Sequence, residues 1–235
     1  MSLCMLMLKL FVCILMLIYA SYNDWKTREV DDKLWIIFSF IGITLNLIDL
    51  SFQFNPQLLM LIIISISLIS LISFIFYYIG FFGGADMKAL ITIALIIPVY
   101  YPSKYIHPFT SLISLTNGAF LTLILPFIFF VLNVTRLLRG KKIFSGFENE
   151  KIWKKILVCF LGYRVSNVKK EQFFMSLQKN INGKKVFHIS LLKDEEFISG
   201  QDVWVTPGIP LLIFITFGFL LTITFGDLLT LFFQF

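Results

Sequence analysis

Two aspartates stand where an apolar sequence has little reason to carry any. Asp86 sits in Phe81-Phe82-Gly83-Gly84-Ala85-Asp86-Met87-Lys88. Asp24 sits in Tyr22-Asn23-Asp24-Trp25-Lys26-Thr27-Arg28-Glu29-Val30-Asp31-Asp32. Acidic groups in or beside a membrane are costly and are functional candidates by default. Two carboxylates held close together cannot both ionise easily, so one keeps a proton near neutral pH. One acid and one base acting on a shared water is the chemistry of an aspartic protease. Each residue also has a plainer use: Asp86 suits a helix N-cap, and Asp24 suits a solvated helix end. Gly83 and Gly84 let the backbone turn tightly and let another chain approach closely.

The elements that must position these groups follow from composition. Of 235 residues, 58% are hydrophobic and 14% charged, with 28 Phe; the mean hydropathy is +0.87. Soluble domains are nearer 45–50% apolar and about 25% charged, so an integral membrane protein is expected. Disorder is excluded, because so apolar a chain cannot stay solvated. Crossing a bilayer takes about 20 apolar residues of helix. Six segments qualify or nearly do: 3–21, 34–50, 58–79, 87–101, 111–134 and 209–225. The fourth is short and ends at Pro98 and Pro102. The fifth contains Pro126, which should kink it. Ser65, Ser67, Ser70 and Ser73 on the third suit close helix packing. The first segment also admits a signal-peptide reading, with Lys9 as its basic region, but no small-x-small cleavage site follows.

Charge sets the expected topology. The first loop holds Lys26, Arg28 and Lys33, and the second holds no Lys or Arg. Lys88 directly follows the third, and the fourth holds only Lys104. The fifth loop, 135–206, holds 14 of the 20 Lys and Arg against 7 Asp and Glu. The positive-inside rule makes the odd loops cytoplasmic and puts both termini outside. Asp24 and Asp86 then share the cytoplasmic face. His107 and His188 fall on opposite sides, and no Cys/His cluster offers a metal site, so neither metal nor other cofactor is expected. No Gly-x-Ser-x-Gly or Cys/His nucleophile pair is present. Cys4, Cys13 and Cys159 make no disulfide framework.

The expected fold class is an all-α polytopic membrane protein of six helices, with a small α+β cytoplasmic insert between the fifth and sixth. The domain division expected is 1–134 for helices one to five, 135–206 for the insert and 207–235 for the sixth helix. Within the insert, 148–178 reads as helical, from Ile152, Ile156 and Cys159-Phe160 at helical spacing. Asn182-Gly183 is a turn signal. The stretches 185–192 and 202–205 read as strands. The net charge of +6 brings no finger, helix-turn-helix or stacking motif, so no nucleic-acid partner is expected. Anionic headgroups of the lipid bilayer are the plainer partner.

Three segments in this order resemble a known family. Gly83-Gly84-Ala85-Asp86 looks like the Gly-x-(small or apolar)-Asp motif of GxGD-type intramembrane aspartyl proteases. That group includes type IV prepilin peptidases, presenilins and signal peptide peptidases. Asp24 with Lys26, Arg28, Glu29 and Val30 resembles the other catalytic segment of the prepilin peptidase branch. Val203-Trp204-Val205-Thr206-Pro207-Gly208-Ile209-Pro210 is similar to a segment of archaeal preflagellin peptidases. Ala85 stands where many relatives carry Gly.

The resemblance implies a membrane aspartic endopeptidase with Asp24 and Asp86 as its catalytic pair. It implies substrates that are preflagellin or prepilin-like precursors with a short basic leader, cut at the cytoplasmic membrane face. It also implies no methylation, because the cysteine-rich domain of bacterial relatives is not expected. Gly83 and Gly84 would then admit the substrate backbone. Glu29, Asp31 and Asp32 would meet the basic leader, although Lys26, Arg28 and Lys33 in the same loop oppose this. Two alternatives stay open: a peptidase for archaeal pilins rather than flagellins, and a non-catalytic membrane assembly factor. A transporter would need polar groups near mid-membrane, whereas these acids sit at helix ends.

Overall fold

Backbone in hydrocarbon must satisfy its own hydrogen bonds, and a single chain segment does so only as a helix. The structure, a computed structural model, describes residues 3–52, 54–169, 173–181, 184–188 and 197–231. It is mostly helical: α1 (Leu3–Thr27), α2 (Asp32–Phe52), α3 (Pro56–Ile79), α4 (Gly84–Ile96), α5 (Thr110–Thr122), α6 (Ile124–Leu138), α7 (Ile152–Leu161) and α8 (Leu211–Thr224). Among the described residues, four stretches are long and apolar enough to cross a membrane: Leu3–Thr27, Asp32–Phe52, Pro56–Ile79 and Thr110–Leu138. A third or less of each is buried inside the protein, so most of their apolar surface must face lipid. The fourth and sixth expected spans correspond to shorter helices, α4 with 13 residues and α8 with 14.

Two compact units make up the chain, Met1–Leu121 with Pro210–Phe235, and Thr122–Ile209. In the first, α4 packs against α2 and α3, and α1 packs against α2 and α8. Cys13, Met16, Leu17 and Ala20 of α1 meet Ala89, Leu90, Ile93 and Ile96 of α4 and Ile215 and Phe219 of α8 in one core. Glycine allows the closest approaches. A Cβ at Gly218 would lie 2.2 Å from Ser114 O and 2.5 Å from Gly118 N, so α5 and α8 touch through bare backbone.

At about 1.5 Å per residue, α4 is about 20 Å long, short of a hydrocarbon core of about 30 Å. Its last carbonyls have no partners within the helix. Asn46 of α2 supplies them: its Nδ2 donates to Leu95 O at 2.8 Å and Ile96 O at 3.2 Å. Ser65 of α3 donates to Pro98 O at 2.6 Å, a specific bond beyond the small-residue packing expected of it. Lys9 is buried beside them, donating to Asn46 Oδ1 and Asp49 Oδ2 at 3.0 Å each. Lys9 is therefore a tie from α1 to α2, and α1 is an integral part of this core.

In the second unit, Pro126 lies in the first turn of α6, where its missing N–H is harmless. Three residues before it, Leu123 separates α5 from α6 while keeping helical φ and ψ. Residues 135–206, read from sequence as an insert, lie inside this unit, which also takes in α6. Asn133 of α6 explains the attachment, donating to Cys159 O at 3.0 Å and Gly162 O at 2.7 Å. The helical reading from 148 holds only for Ile152–Leu161, after which β1 (Tyr163–Val168) begins. Gly162 is the reason: a Cβ there would sit 2.0 Å from Val205 O, so only glycine lets the chain leave the helix against β5 (Gly200–Pro207).

β5 is the centre of an antiparallel sheet, flanked by β1 and by β2 (Phe174–Ser176). β3 (Gln178–Ile181) and β4 (Lys184–Phe187) form a separate antiparallel pair. The expected turn at Asn182-Gly183 and residues 189–196 lie outside the described residues. Trp204 is fully buried, donates Nε1 to Ile143 O at 3.1 Å, and stacks on Phe144. With Phe147, Val158, Leu177 and Phe187 it makes this unit's core.

Candidate active site

Asp24 lies in the last turn of α1 and Asp86 in the first turn of α4, so the first unit carries both at one end of its helices. Each is 9% exposed, which shields the pair from bulk water without sealing it. The two charges act on each other, and the Arg28 guanidinium acts on both. Groups 62 residues apart in sequence are thus brought into electrostatic reach.

Each carboxylate also meets a helix N-terminus, where unpaired N–H groups and the helix dipole favour negative charge. Asp86 Oδ2 accepts from Gly83 N at 2.8 Å, the reciprocal half of a capping box. The plain and the chemical readings of Asp86 are compatible, since this bond occupies only one of its oxygens. Asp24 faces the backbone N–H of Leu212 in the first turn of α8. That helix begins after Pro210, which provides no side-chain cap, so a carboxylate from α1 meets its open end. Ser21, one turn before Asp24, fixes the approach: its Oγ donates to Leu212 O at 3.1 Å and lies 2.7 Å from Thr216 Oγ1.

The glycines divide their duties differently from expectation. The left-handed turn before α4 falls on Gly80, with φ +91, whereas Gly83 is extended at φ −72 and ψ 163. A Cβ at Gly83 would stand 3.1 Å from Asp86 Oδ2; at Gly84 the nearest contact would be 3.9 Å. Gly83 therefore keeps space open beside the carboxylate.

The acidic residues expected to meet a leader are all exposed. Asp31 Oδ1 accepts from Lys33 N at 2.9 Å at the start of α2. Asp32 pairs with Lys88 at 2.5 Å. The Glu29 backbone carbonyl accepts from Thr27 Oγ1 at 3.0 Å, and its side chain lies in solvent. Arg28 and Leu212 are the neighbours that sequence reasoning did not single out. Arg28 counts in the sequence as a loop charge and as part of the segment around Asp24; in the structure it adopts φ +59, and its N–H closes α1 on Asp24 O at 3.1 Å. A non-glycine residue held in that region marks a constrained position. Pro210 was the available signal for Leu212, because it fixes where α8 starts.

Two stretches of the chain match known protein families. The profile of the Type IV leader peptidase family matches residues 11–127. A second profile, Archaeal Peptidase A24 C-terminus Type II, matches residues 164–228. A preflagellin peptidase of Methanococcus maripaludis is 28% identical over 237 residues, covering 92% of this chain and 94% of that protein. A preflagellin peptidase of Methanocaldococcus jannaschii is 29% identical over 223 residues, covering 88% of each. The first profile spans both Asp24 and Asp86, and the second spans β5 and the start of α8, so the chain belongs to the type IV leader peptidase family.

Proposed function

We propose that this protein is an aspartic endopeptidase that removes the short basic leader from preflagellin or prepilin-like precursors at the cytoplasmic face of the cell membrane. The observation that carries the reading is the mutual reach of Asp24 and Asp86, both buried, beside the N-termini of α4 and α8 and with the half-buried Arg28 acting on each. In the reaction, the ionised member of the pair takes a proton from water, and the protonated member polarises the scissile carbonyl. The tetrahedral intermediate collapses without an acyl-enzyme. The pair titrates as a unit, so the proton belongs to both. Arg28 offsets part of the negative charge that the pair would otherwise hold alone.

The topology that suits this chemistry has six spans: α1, α2, α3, α4, α5 continued by α6, and α8. Odd loops are cytoplasmic and both termini lie outside. Residues 1–134 carry the catalytic pair, 135–206 form the cytoplasmic insert, and 207–235 form the last span. Gly83 and Gly84 admit the extended substrate backbone, and Glu29, Asp31 and Asp32 attract the leader. Preflagellin as the substrate is supported by the names of the relatives from Methanococcus and Methanocaldococcus.

The test is co-expression with candidate preproteins and mass spectrometry of their mature N-termini. Asp24→Asn and Asp86→Asn should each stop processing at normal protein level, while Asp31→Asn, which touches only the attraction of the leader, should still yield mature product. Substantial processing by Asp24→Asn would remove it from the reaction. The capping bond from Gly83 to Asp86 is also what a non-catalytic assembly factor would use. That reading predicts that both Asn variants leave precursor maturation unchanged. For topology, a cysteine placed at 51–57 should react with an impermeant thiol reagent from outside intact cells. One placed at Asn180 should not, and the opposite pattern inverts the protein.

A further inference from the structure

Where α6 ends, the second unit has a cavity of about 550 Å³ whose lining includes Arg136, Lys141, Lys142, Tyr163, Arg164 and Asp202. Among the described residues, four cations line it and one carboxylate. The two arginines are fixed in place. Arg136 Nη1 donates to Arg164 O at 2.7 Å, and its guanidinium stands 5.4 Å from the Tyr163 ring centre. Arg164 holds Asp202 through both forks, with Nε 2.6 Å from Oδ1, and Nη1 donates to Ile143 O at 2.7 Å. Asp202 is therefore neutralised by Arg164, and its carboxyl is held below the usual range by that hydrogen bond. Lys141 and Lys142 are exposed, and among the described residues neither forms an ion pair.

We infer that this cavity is an anion site that takes a phosphate group, with Lys141 and Lys142 as its mobile cations and the two arginines as its fixed wall. A lysine ammonium on a flexible stem is a point charge suited to a phosphate oxygen. Arg136, already oriented by Tyr163 and the Arg164 carbonyl, supplies positive charge at no further ordering cost. The placement favours a phospholipid headgroup over free phosphate. Ile124, Phe127, Ile128 and Val131 of α6 are exposed at helical spacing and end about one turn before Arg136. An acyl chain lying along that stripe would bring its phosphate to the level of the lysines. The inference does not depend on the peptidase reading.

The test uses the purified full chain in detergent, with dioleoylphosphatidylglycerol, dioleoylphosphatidylcholine and inorganic phosphate as separate probes. Lipid retention is read by native mass spectrometry and phosphate binding by thermal shift. The double variant Lys141→Gln, Lys142→Gln should bind phosphatidylglycerol at least about fivefold more weakly. The control Lys151→Gln, Lys179→Gln removes equal charge from the same unit and should bind normally. Asp202→Asn, which removes a carboxylate from the lining, should bind more tightly. Phosphatidylcholine should be retained poorly by all. If inorganic phosphate stabilises the wild type and not the double variant, while phosphatidylglycerol distinguishes nothing, the site holds but its ligand is free phosphate. Equal loss in both double variants would mean diffuse surface charge and would overturn the site. No loss in either would overturn it as well.

Discussion

Lys88 Nζ stands 2.5 Å from Asp32 Oδ1, tying the start of α2 to the helix that bears Asp86. Both side chains are substantially exposed, so the pair contributes only about 0–1 kcal/mol to stability. Its consequence lies in charge. Asp32 is already compensated, whereas Glu29 forms no ion pair among the described residues. Glu29→Gln should therefore raise apparent KM for a substrate with a basic leader more than Asp32→Asn does. Lys88→Gln, which frees Asp32, should lower it. Steady-state kinetics with leader peptides of graded charge checks the order, and equal effects of Glu29 and Asp32 would refute it.

At the other end of the first unit, Asp49 is the ion partner of buried Lys9. Removing one member of a buried pair typically costs about 3–5 kcal/mol, because the other charge is left uncompensated. Asp49→Asn should lower the melting temperature in detergent markedly. The double replacement Lys9→Met, Asp49→Leu should recover most of it. Cleavage by the folded fraction should be normal in both, because these residues lie at the opposite end of α1 from Asp24.

Gly83 and Gly84 should part company on substitution. Alanine at 83 would press on Asp86 Oδ2 from 3.1 Å, displacing the carboxylate. Gly83→Ala should lower kcat with little change in melting temperature. Gly84→Ala meets nothing closer than 3.9 Å within the protein and replaces a poor helix former, so kcat and stability should be nearly unchanged, while apparent KM should rise because the substrate backbone approaches there. An unchanged KM would remove Gly84 from the path of the substrate.

Gly218→Ala should be among the most damaging changes outside the candidate site. The new Cβ would overlap Ser114 O and Gly118 N, both backbone, which cannot swing aside as a side chain can. Overpacking of this kind costs about 1–3 kcal/mol or more. Thermal unfolding should show it as a lower melting temperature, together with loss of cleavage in proportion to loss of fold.

Much of this was legible in the residues. The four long spans follow from the length of their apolar runs, and the brevity of α4 follows from Pro98 closing it. Lys and Arg counts alone lead one to expect Asp24 and Asp86 on one side, and the structure places them at one end of the first unit. What stayed hidden depends on contacts between distant segments. Nothing local tells Lys9 that its partner is Asp49, or Asn46 that it will serve the end of α4. The helix expected to run on from 148 stops at Leu161 because Gly162 must fit against Val205, a neighbour 43 residues away. The approach of Leu212 to Asp24 is of the same kind.

The short α4 has a consequence for how the protein meets membranes of different thickness. A long helix adjusts to its bilayer by tilting or by distorting the lipid around it. The far end of α4 is instead held by Asn46 and Ser65, so its depth is set by α2 and α3 rather than by headgroups. Asp86, at the near end, inherits that setting. Hydrophobic mismatch would be taken up by the long outer helices, leaving the two carboxylates in register with each other. Turnover measured in nanodiscs of increasing acyl length should accordingly vary little until the long helices themselves no longer fit.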